Sequence, residues 1–358
     1  MRADIAIVGA GMAGASLAAE LAPHASVLLL EAEDQPGYHS TGRSAAFWSE
    51  TYGGPFVQPL TTGSGPFLRR GGFLKPRRGL HIARADGEDV LAGMEAEFAG
   101  TVALERIDRA GLERLVPGVR AGWDSALLEP TCADIDVAAL HGFYLAAAKR
   151  GGARLATRAR LVAAERRDAG WSLQTSAGPA EAGLLVNAAG AWADAVARTA
   201  GVRPLGIQPY RRTIAQLRIG PPAPADLPLV IDALGRFYFK PETGGRLWLS
   251  PHDETPCEAG DCAAEELDVA VAIDRLERVV DWRVERVERR WAGLRSFAPD
   301  RLPAYGFDGA EPAFFWFAAQ GGFGIQTAPA AARLAAALLL GRDPDFDPAP
   351  YRPGRFAN

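Results

Sequence analysis

The sequence predicts an α/β protein with two domains, one on a mainly parallel sheet and one α+β domain on an antiparallel sheet. Three observations favour this class. The chain begins with an apolar run, a glycine-rich turn and a helix-forming segment. A later apolar strand pattern is followed by a turn at residues 187–190. Two alternating aromatic segments, 236–240 and 246–250, are typical of a β-hairpin. A length of 358 residues exceeds that of most single domains.

The N-terminal segment predicts a strand, a tight turn and a helix. An apolar run of strand length precedes Gly9, Gly11 and Gly14, which form a G-x-G-x-x-G motif, and a second apolar run, 27–30, ends in Glu31. In a Rossmann-like domain the glycines allow the turn, the approach of a pyrophosphate and close helix packing, and the acid bonds an adenosine ribose. The glycines alone would fit any tight turn, but the whole pattern predicts a dinucleotide site.

Three later segments suit the same ligand. The loop 40–44 combines Ser, Thr, Gly and Arg43, which favours a second phosphate contact over a solvated turn. The strand that ends at Asn187 runs into small residues where a ligand can pass close to the backbone. The glycine segment 318–327 precedes a helix and predicts another backbone platform. The dinucleotide-binding domain is therefore expected to be discontinuous.

Periodicity and capping predict the remaining elements in chain order. Strands are expected at 79–84, 159–166, 171–176, 182–187 and 212–218, and helices at 86–99, 110–115, 133–149, 263–281 and 328–340. Asp134 or Asp136 would cap the 133–149 helix. Residues 1–50, 131–205 and 290–358 would form the dinucleotide-binding domain, and residues 51–130 and 206–289 the substrate-binding domain.

Composition argues against several other classes. A net charge of −4 and a pI near 5.8 give no basic surface for nucleic acid. Cys132, Cys257 and Cys262 have no metal-ligand spacing, and their odd number argues against a disulfide framework, so reduced thiols are expected. The N-terminal apolar run is too short for a signal peptide, and the late apolar stretch contains Arg333 and is too short to span a bilayer. A cytoplasmic protein with no integral membrane segment is expected.

With these residues identified, the chain resembles the D-amino acid oxidase-like family of FAD-dependent oxidoreductases, which includes glycine oxidase, sarcosine oxidase and D-arginine dehydrogenase. Within this family it is most similar to the bacterial D-arginine dehydrogenases. The resemblance rests on segments 7–16, 35–46, 133–136, 185–192, 201–206, 291–297 and 318–327, in that order. Seven ordered segments are far more specific than one glycine motif.

The resemblance implies FAD as cofactor. It implies cofactor contacts at Gly9, Gly11, Met12, Ala13, Gly14, Glu31, Thr41, Gly42, Arg43, Ser44, Ala45, Ala46, Ala189, Gly190, Trp192, Arg295, Gly321, Gly322, Phe323, Gly324, Ile325 and Gln326. A covalent flavin in this family needs a cysteine near the late glycine segment, and none of the three cysteines lies there. Non-covalent FAD is therefore expected.

The resemblance also implies substrate contacts at Tyr52, Arg212, Tyr238, Arg295 and Gln326. These residue types suit the chemistry, because a guanidinium binds a carboxylate bidentately and tyrosine hydroxyls fix which Cα–H faces the flavin. Arg211 is an alternative to Arg212 for the carboxylate contact. The implied reaction is oxidation of the Cα–N bond of a D-amino acid or related amine to an imine, which hydrolyses to a 2-oxo acid.

Two departures from the D-arginine dehydrogenase pattern bear on the substrate. Phe47, followed by Trp48, stands where those enzymes have a histidine, and Arg78 or Gly79 stands where they have a glutamate. An unpaired substrate guanidinium in such a pocket is costly, so apolar or aromatic side chains, or a small secondary amine, are expected instead of D-arginine.

Two alternative functions fit the same sequence. The fold also serves oxidation of 2-hydroxy acids and glycerol phosphate, and a non-catalytic FAD-binding subunit would share the cofactor motifs. The sequence leaves the electron acceptor open between oxygen, a quinone and a dye. His252 is the basic residue that could lie beside the flavin and influence this choice.

Overall fold

The structure is a computed structural model that describes residues 1–356. Its strands are β1 Arg2–Val8, β2 Val27–Leu30, β3 Phe47–Trp48, β4 Leu74–Pro76, β5 Gly79–Ala83, β6 Glu105–Ile107, β7 Ser125–Glu129, β8 Ala133–Ile135, β9 Arg154–Ala156, β10 Leu161–Arg167, β11 Gly170–Thr175, β12 Gly178–Asn187, β13 Gln208–Gly220, β14 Leu229–Asp232, β15 Tyr238–Glu242, β16 Arg246–Ser250, β17 Thr255–Pro256, β18 Arg283–Phe297, β19 Ala304–Phe307 and β20 Phe314–Ala318. Its α-helices are α1 Met12–Leu21, α2 Gln58–Arg70, α3 Glu88–Glu97, α4 Arg109–Leu115, α5 Val137–Arg150, α6 Ala193–Thr199, α7 Glu266–Glu277 and α8 Ala328–Leu339.

The first sheet is a Rossmann-like sheet with strand order β10-β11-β12-β1-β2-β9. Its centre is parallel, since β1 pairs with β2 and β12 in the same direction and β20 runs parallel to the end of β12. Residues 5–8 of β1 are buried on both faces, as expected for a central parallel strand covered by helices. The predicted α/β class and its discontinuous parallel sheet are confirmed.

The second sheet is mainly antiparallel, in the order β17-β13-β16-β15-β14-β5-β7-β6, with β18 on β13. The predicted hairpin is present, because β15 and β16 pair in antiparallel register from Tyr238↔Ser250 to Glu242↔Arg246. β13 and β18 pair along almost their whole length. This long pairing carries Arg212 and Arg295 to the border of the first sheet.

A third, three-stranded sheet lies between these regions and corrects one sequence prediction. Its order is β3-β8-β4, so Ala133–Ile135 forms a strand and not the first turn of a helix. The following helix begins at Val137, and the Asp136 side chain caps it by accepting a hydrogen bond from Ala139 N at 2.9 Å. Backbone pairing with Phe47 and Leu74 overrides the local helical pattern here.

Several short strands, one short helix and two longer elements were not predicted, and the two longer ones are helix α2 and strand β18. Helix α2 occupies a stretch whose Pro66 and glycines suggest irregular structure, but its Leu60 and Leu68 are buried and the helix packs on α8. β18 begins at Arg283, although its first half consists of alternating charged residues typical of a surface loop. Among residues 1–356, no helix is long and apolar enough to cross a membrane, and no group of side chains has the composition of a metal site.

Candidate active site

A deep cleft follows the carboxyl ends of β1, β2 and β12 and continues to the β13–β18 pair. The predicted site residues that line it are Gly9, Gly11, Met12, Ala13, Glu31, Thr41, Arg43, Ser44, Ala45, Ala189, Gly190, Trp192, Arg212, Arg295, Gly321, Gly322, Gly324 and Ile325. The predicted residues that do not line it are Gly14, Gly42, Ala46, Tyr52, Tyr238, Phe323 and Gln326. The cleft thus collects residues from the beginning, middle and end of the chain.

The three glycines of the turn have different roles: two are required by close packing, and one faces the cleft. Gly9 has φ +99°, and a Cβ there would lie 2.5 Å from the carbonyl oxygen of Ala188. A Cβ on Gly14 would overlap the carbonyl of Gly9, so this glycine lets α1 pack on β1 and does not face the ligand. A Cβ on Gly11 would meet only the Thr41 hydroxyl, at 3.2 Å. Gly11 therefore leaves space in the cleft itself.

Glu31 links the end of β2 to the glycine turn. One of its carboxylate oxygens accepts a hydrogen bond from Ala10 N at 2.9 Å, and the other accepts one from Glu33 N at 3.0 Å. The side chain is only 9% exposed, and it still borders the cleft. Since each carboxylate oxygen has further acceptor capacity, Glu31 can also bond a ribose hydroxyl.

The middle of the cleft fits a pyrophosphate. Helix α1 begins at Met12, and its N-cap Gly11 has no side chain to bond the first-turn amides. Met12 N donates to the Thr41 hydroxyl at 3.0 Å, and Gly11, Met12 and Ala13 place the helix N-terminus at the cleft. Arg43 borders the same space, with its guanidinium 2.6 Å from the Asp261 carboxylate. An acid at one end, an open helix N-terminus in the middle and a glycine segment at the other end together fit the FAD that the sequence resemblance implies. Among the described residues no cysteine lines the cleft, and non-covalent binding stays a prediction.

At the far end of the cleft, Arg295 contacts Tyr52. Nη1 of Arg295 donates to the Tyr52 hydroxyl at 2.6 Å, although β18 and the turn after β3 are remote in sequence. The neighbouring hydroxyl and guanidinium leave no room beside Gly322, where a Cβ would overlap the Tyr52 oxygen and lie 3.2 Å from Arg295 Nη1. Burial lowers the pKa of Arg295, but nearby Tyr52 and Tyr238 and two carboxylates give a net rise, so the side chain stays charged.

Arg211 and Arg212 point to opposite faces of β13, as successive strand residues do. Arg211 forms ion pairs with Glu265 and with Asp268, the latter at 2.7 Å, and it does not line the cleft. Arg212 lines the cleft, is 3% exposed, and donates from Nε to the carbonyl oxygen of Asp253 at 2.8 Å. Burial and the neighbouring charge of Arg295 lower its pKa to about 10.

The buried polar atoms without a hydrogen-bond partner among the described residues include Nη1 of Arg212 and the hydroxyl oxygen of Tyr238, both close to Arg295. Nδ1 of His39, which lines the cleft, is another. Nη2 of Arg212 is 3.1 Å from Glu254, whose carboxylate also pairs with Arg301. Buried donors of this kind are normally satisfied, so the arrangement fits a ligand with acceptor oxygens.

Aromatic rings surround these polar groups. Phe47 packs against Tyr52 and Tyr238, with ring centroids 5.3 and 6.0 Å apart, and Phe323 packs against Tyr52 at 4.9 Å. His252 packs edge-on against Tyr238 at 5.7 Å, and its Nδ1 lies 2.6 Å from the carbonyl oxygen of Gly235. Burial and the charges of Arg212 and Arg295 lower the pKa of His252 to about 3, so the imidazole is neutral near pH 7.

Gln326 lies behind this site and supports the Tyr52 turn. Its side-chain oxygen accepts from Ser49 N at 3.3 Å, and its nitrogen donates to the Tyr52 carbonyl at 3.0 Å and the Thr61 hydroxyl at 2.9 Å. Sequence reasoning missed Ile214, which lines the cleft two residues after Arg212 on the same strand face. The alternation along β13 is the signal that could have identified Ile214.

The chain matches a known protein family over most of its length. The family model described as DAO, FAD dependent oxidoreductase, matches residues 4–338. A glycine oxidase of Pseudomonas aeruginosa is 32% identical over 189 residues, which are 50% of this chain and 48% of that protein. A glycine oxidase of Pseudomonas putida is 29% identical over 51% of this chain and 48% of its own length. The aligned regions thus cover about half the length of these curated relatives.

Solved structures show the same fold over nearly the whole chain. The crystal structure of glycine oxidase from Geobacillus kaustophilus has a TM-score of 0.86 at 23% identity and covers 98% of both chains. That of L-proline dehydrogenase from P. horikoshii has a TM-score of 0.88 at 21% identity and covers 99% of this chain and 98% of that one. These relatives support the family resemblance and not the narrower resemblance to D-arginine dehydrogenases.

Proposed function

Because the chain belongs to the DAO family of FAD-dependent oxidoreductases, we propose that it oxidises the Cα–N bond of a D-amino acid or a related small amine that carries a carboxylate. The product is an imine that hydrolyses to a 2-oxo acid. FAD, when bound, supplies the hydride-accepting flavin, and the chain binds and orients the substrate.

The observation that carries the proposal is the charge balance beside the cleft. Two guanidiniums, those of Arg212 and Arg295, lie there, and Glu254 pairs with the first of them. Among residues 1–356, no carboxylate forms an ion pair with Arg295, and Nη1 of Arg212 is buried without a partner. One substrate carboxylate would pair with the Arg295 guanidinium and satisfy the unpartnered donor of Arg212.

The tyrosines supply orientation. The Tyr52 hydroxyl accepts from Arg295, so its own proton is available to a substrate oxygen. The Tyr238 hydroxyl, buried and without a partner, can donate to the same carboxylate or accept from the substrate amine. Contacts from two sides restrict rotation of the bound acid and thereby select which Cα–H faces the cofactor.

The surrounding rings support a preference for apolar or aromatic side chains. Phe47 is buried against Tyr52 and Tyr238, and Phe323 closes the other side of Tyr52. No acidic side chain lines the cleft apart from Glu31 and Glu33 at its ribose end, as far as the structure describes the chain. The cationic side chain of a substrate such as D-arginine would therefore lie near two guanidiniums and find no acidic partner in the lining of the cleft, which disfavours its binding.

Anaerobic reduction of the bound flavin tests the proposal. The purified flavoprotein is mixed with D-phenylalanine, D-leucine, D-alanine, D-arginine, glycine, sarcosine, the L-enantiomers, L-lactate and glycerol 3-phosphate, and loss of flavin absorbance is followed. We expect rapid bleaching by apolar D-amino acids, slower bleaching by glycine or sarcosine, and little by D-arginine. Fast bleaching by lactate or glycerol phosphate alone would replace the proposal with hydroxy-acid oxidation, and no bleaching by any compound would favour a non-catalytic FAD-binding subunit.

The best substrate then identifies the electron acceptor. Reoxidation of the reduced protein is compared in oxygenated buffer, with a soluble quinone and with an artificial dye. Rapid reoxidation by oxygen defines an oxidase, whereas reoxidation by the quinone or dye alone defines a dehydrogenase.

A further inference from the structure

The turn that carries Tyr52 follows β3 of the third sheet and is hydrogen-bonded to a buried carboxylate of the second sheet. Glu129 ends β7 of the second sheet and is fully buried. Its Oε1 accepts from Glu50 N at 2.6 Å, and its Oε2 accepts from the Ser49 and Thr51 hydroxyls at 2.8 and 2.7 Å. Three consecutive residues immediately before Tyr52 are therefore bonded to one carboxylate.

This carboxylate is ionised in spite of its burial. Burial raises the pKa of Glu129, but His81, whose Nε2 is 4.0 Å from Oε2, and the hydrogen bonds from Thr51 and Glu50 N give a net lowering. A charged group in the interior is costly unless its hydrogen bonds are made, and here they are made almost entirely to the Tyr52 turn. Movement of the turn would break several charge-assisted bonds at once.

Other residues also form hydrogen bonds to the same turn. Gln326 bonds the backbone at Ser49 and at Tyr52, and the Glu50 side chain accepts from the hydroxyls of Thr62 at 2.5 Å and Thr131 at 2.9 Å. Residues 49–52 are thus bonded by β7, by helix α2 and by the segments that contain Thr131 and Gln326. The position of the Tyr52 hydroxyl at Arg295 depends on how these parts are joined.

We propose that Glu129 is a positioning residue that fixes the 49–52 turn and, through it, the Tyr52 hydroxyl against Arg295. The inference rests on the proposed function in one respect, because the Tyr52 hydroxyl and Arg295 are taken to bind the substrate carboxylate. Glu129 itself does not line the cleft. Its effect on binding is therefore indirect.

A double-mutant cycle tests this connection. Benzoate is titrated into wild-type, Glu129→Ala, Tyr52→Phe and doubly substituted holoprotein, and binding is read from the perturbation of flavin absorbance. We expect each single substitution to raise the benzoate Kd about tenfold, the loss of roughly one charge-assisted hydrogen bond. The double variant should bind no more than about threefold more weakly than the weaker single variant, because both changes remove the same contact. Independent, multiplicative effects would overturn the proposal.

A conservative variant and a matched control separate positioning from stability. Glu129→Gln keeps an acceptor for Glu50 N, and its amide can donate to a hydroxyl that reverses its direction, so a Kd within about threefold of wild type is expected. Asp308 is a matched control, because its carboxylate also accepts three hydrogen bonds and holds a turn, but one that lies outside the cleft. The donors are Ala310 N, Glu311 N and the Trp316 indole. Asp308→Ala should lower the melting temperature without changing benzoate binding, and weaker binding in that variant would argue against a specific connection.

Hydrogen exchange provides a readout that does not depend on substrate binding. Deuterium uptake at residues 49–53 should rise in Glu129→Ala and remain near wild type in Glu129→Gln and Asp308→Ala. If Glu129→Ala does not fold, Thr51→Val, which removes one donor to Glu129, should show a smaller rise in both uptake and Kd. Failure of wild-type protein to bind any carboxylate would defeat the proposed function, whereas unchanged uptake in the Glu129 variants would defeat this inference.

Discussion

Arg295 donates a hydrogen bond of 2.6 Å to the hydroxyl of Tyr52 across a sequence separation of 243 residues. The contact joins the end of β18 in the second sheet to the turn after β3 in the third. It leaves a guanidinium without an ion-pair partner among the described residues, next to a hydroxyl whose proton is free to be donated.

Substitution of Arg295 by methionine should weaken substrate binding more than substitution of Tyr52 by phenylalanine. The first change removes the charge that pairs with the substrate carboxylate and the second removes one hydroxyl donor to it, so we expect an increase in KM or in benzoate Kd of up to about 150-fold for the first and of about tenfold for the second. Titration monitored by flavin absorbance provides the measurement. Equal, small effects would show that the carboxylate binds elsewhere.

Arg211 and Arg212 should have separable effects. Arg212→Met removes a cleft-facing guanidinium and should raise the benzoate Kd at least about tenfold. Arg211→Met breaks ion pairs with Glu265 and Asp268 and should lower the melting temperature while benzoate Kd changes less than about twofold. Thermal unfolding and benzoate titration of the two variants, measured side by side, show which arginine contacts the substrate and which stabilises the fold. The reverse pattern would make Arg211 the substrate contact.

Gly322→Ala should displace Tyr52 without loss of FAD. The added Cβ would overlap the Tyr52 hydroxyl and crowd Arg295, so we expect weaker benzoate binding at a normal ratio of flavin to protein absorbance. Gly93→Ala is the control, because a Cβ there meets no atom within 4 Å and favours the helix that contains it. Loss of flavin from the Gly322 variant would instead show that this glycine serves mainly cofactor binding.

His252 should make the protein less stable as the pH falls. The pKa of this imidazole is about 3 in the folded protein and near 6.5 when unfolded, so the unfolded state binds the proton more readily. The stability linked to neutral His252 is fully present above pH 6.5 and is lost as the pH falls from 6.5 towards 3. At pH 5 the loss is about 2 kcal/mol.

Urea unfolding of wild type and His252→Asn at pH 7.5 and pH 5 measures this contribution. Asparagine tolerates the positive φ of 56° at this position and can donate to Gly235, so the variant should fold. We expect wild type to lose about 2 kcal/mol more than the variant between the two pH values. Identical losses would show that His252 does not titrate in this range on unfolding.

Local sequence patterns determined the central strands of the first sheet and most of the backbone that lines the cleft. The glycine turn, the acid after β2 and the late glycine segment are recognisable because each requires particular residues at fixed spacing, whatever surrounds it. The β15–β16 hairpin and the Asp136 cap are local in the same sense. The sequence alone could not show which of the adjacent Arg211 and Arg212 faces the cleft, because either residue type suits a carboxylate contact.

Tertiary structure decided the remaining features. Pairing with Phe47 and Leu74 turned residues 133–135 into a strand, and pairing with β13 extended the charged segment 283–290 into β18. The three hydrogen bonds of Glu129 to the Tyr52 turn join residues about 80 positions apart, and no periodicity records such a contact. Spacing encodes interactions within a turn, helix or hairpin, whereas the contacts that assemble this site exist only after separate sheets have packed together.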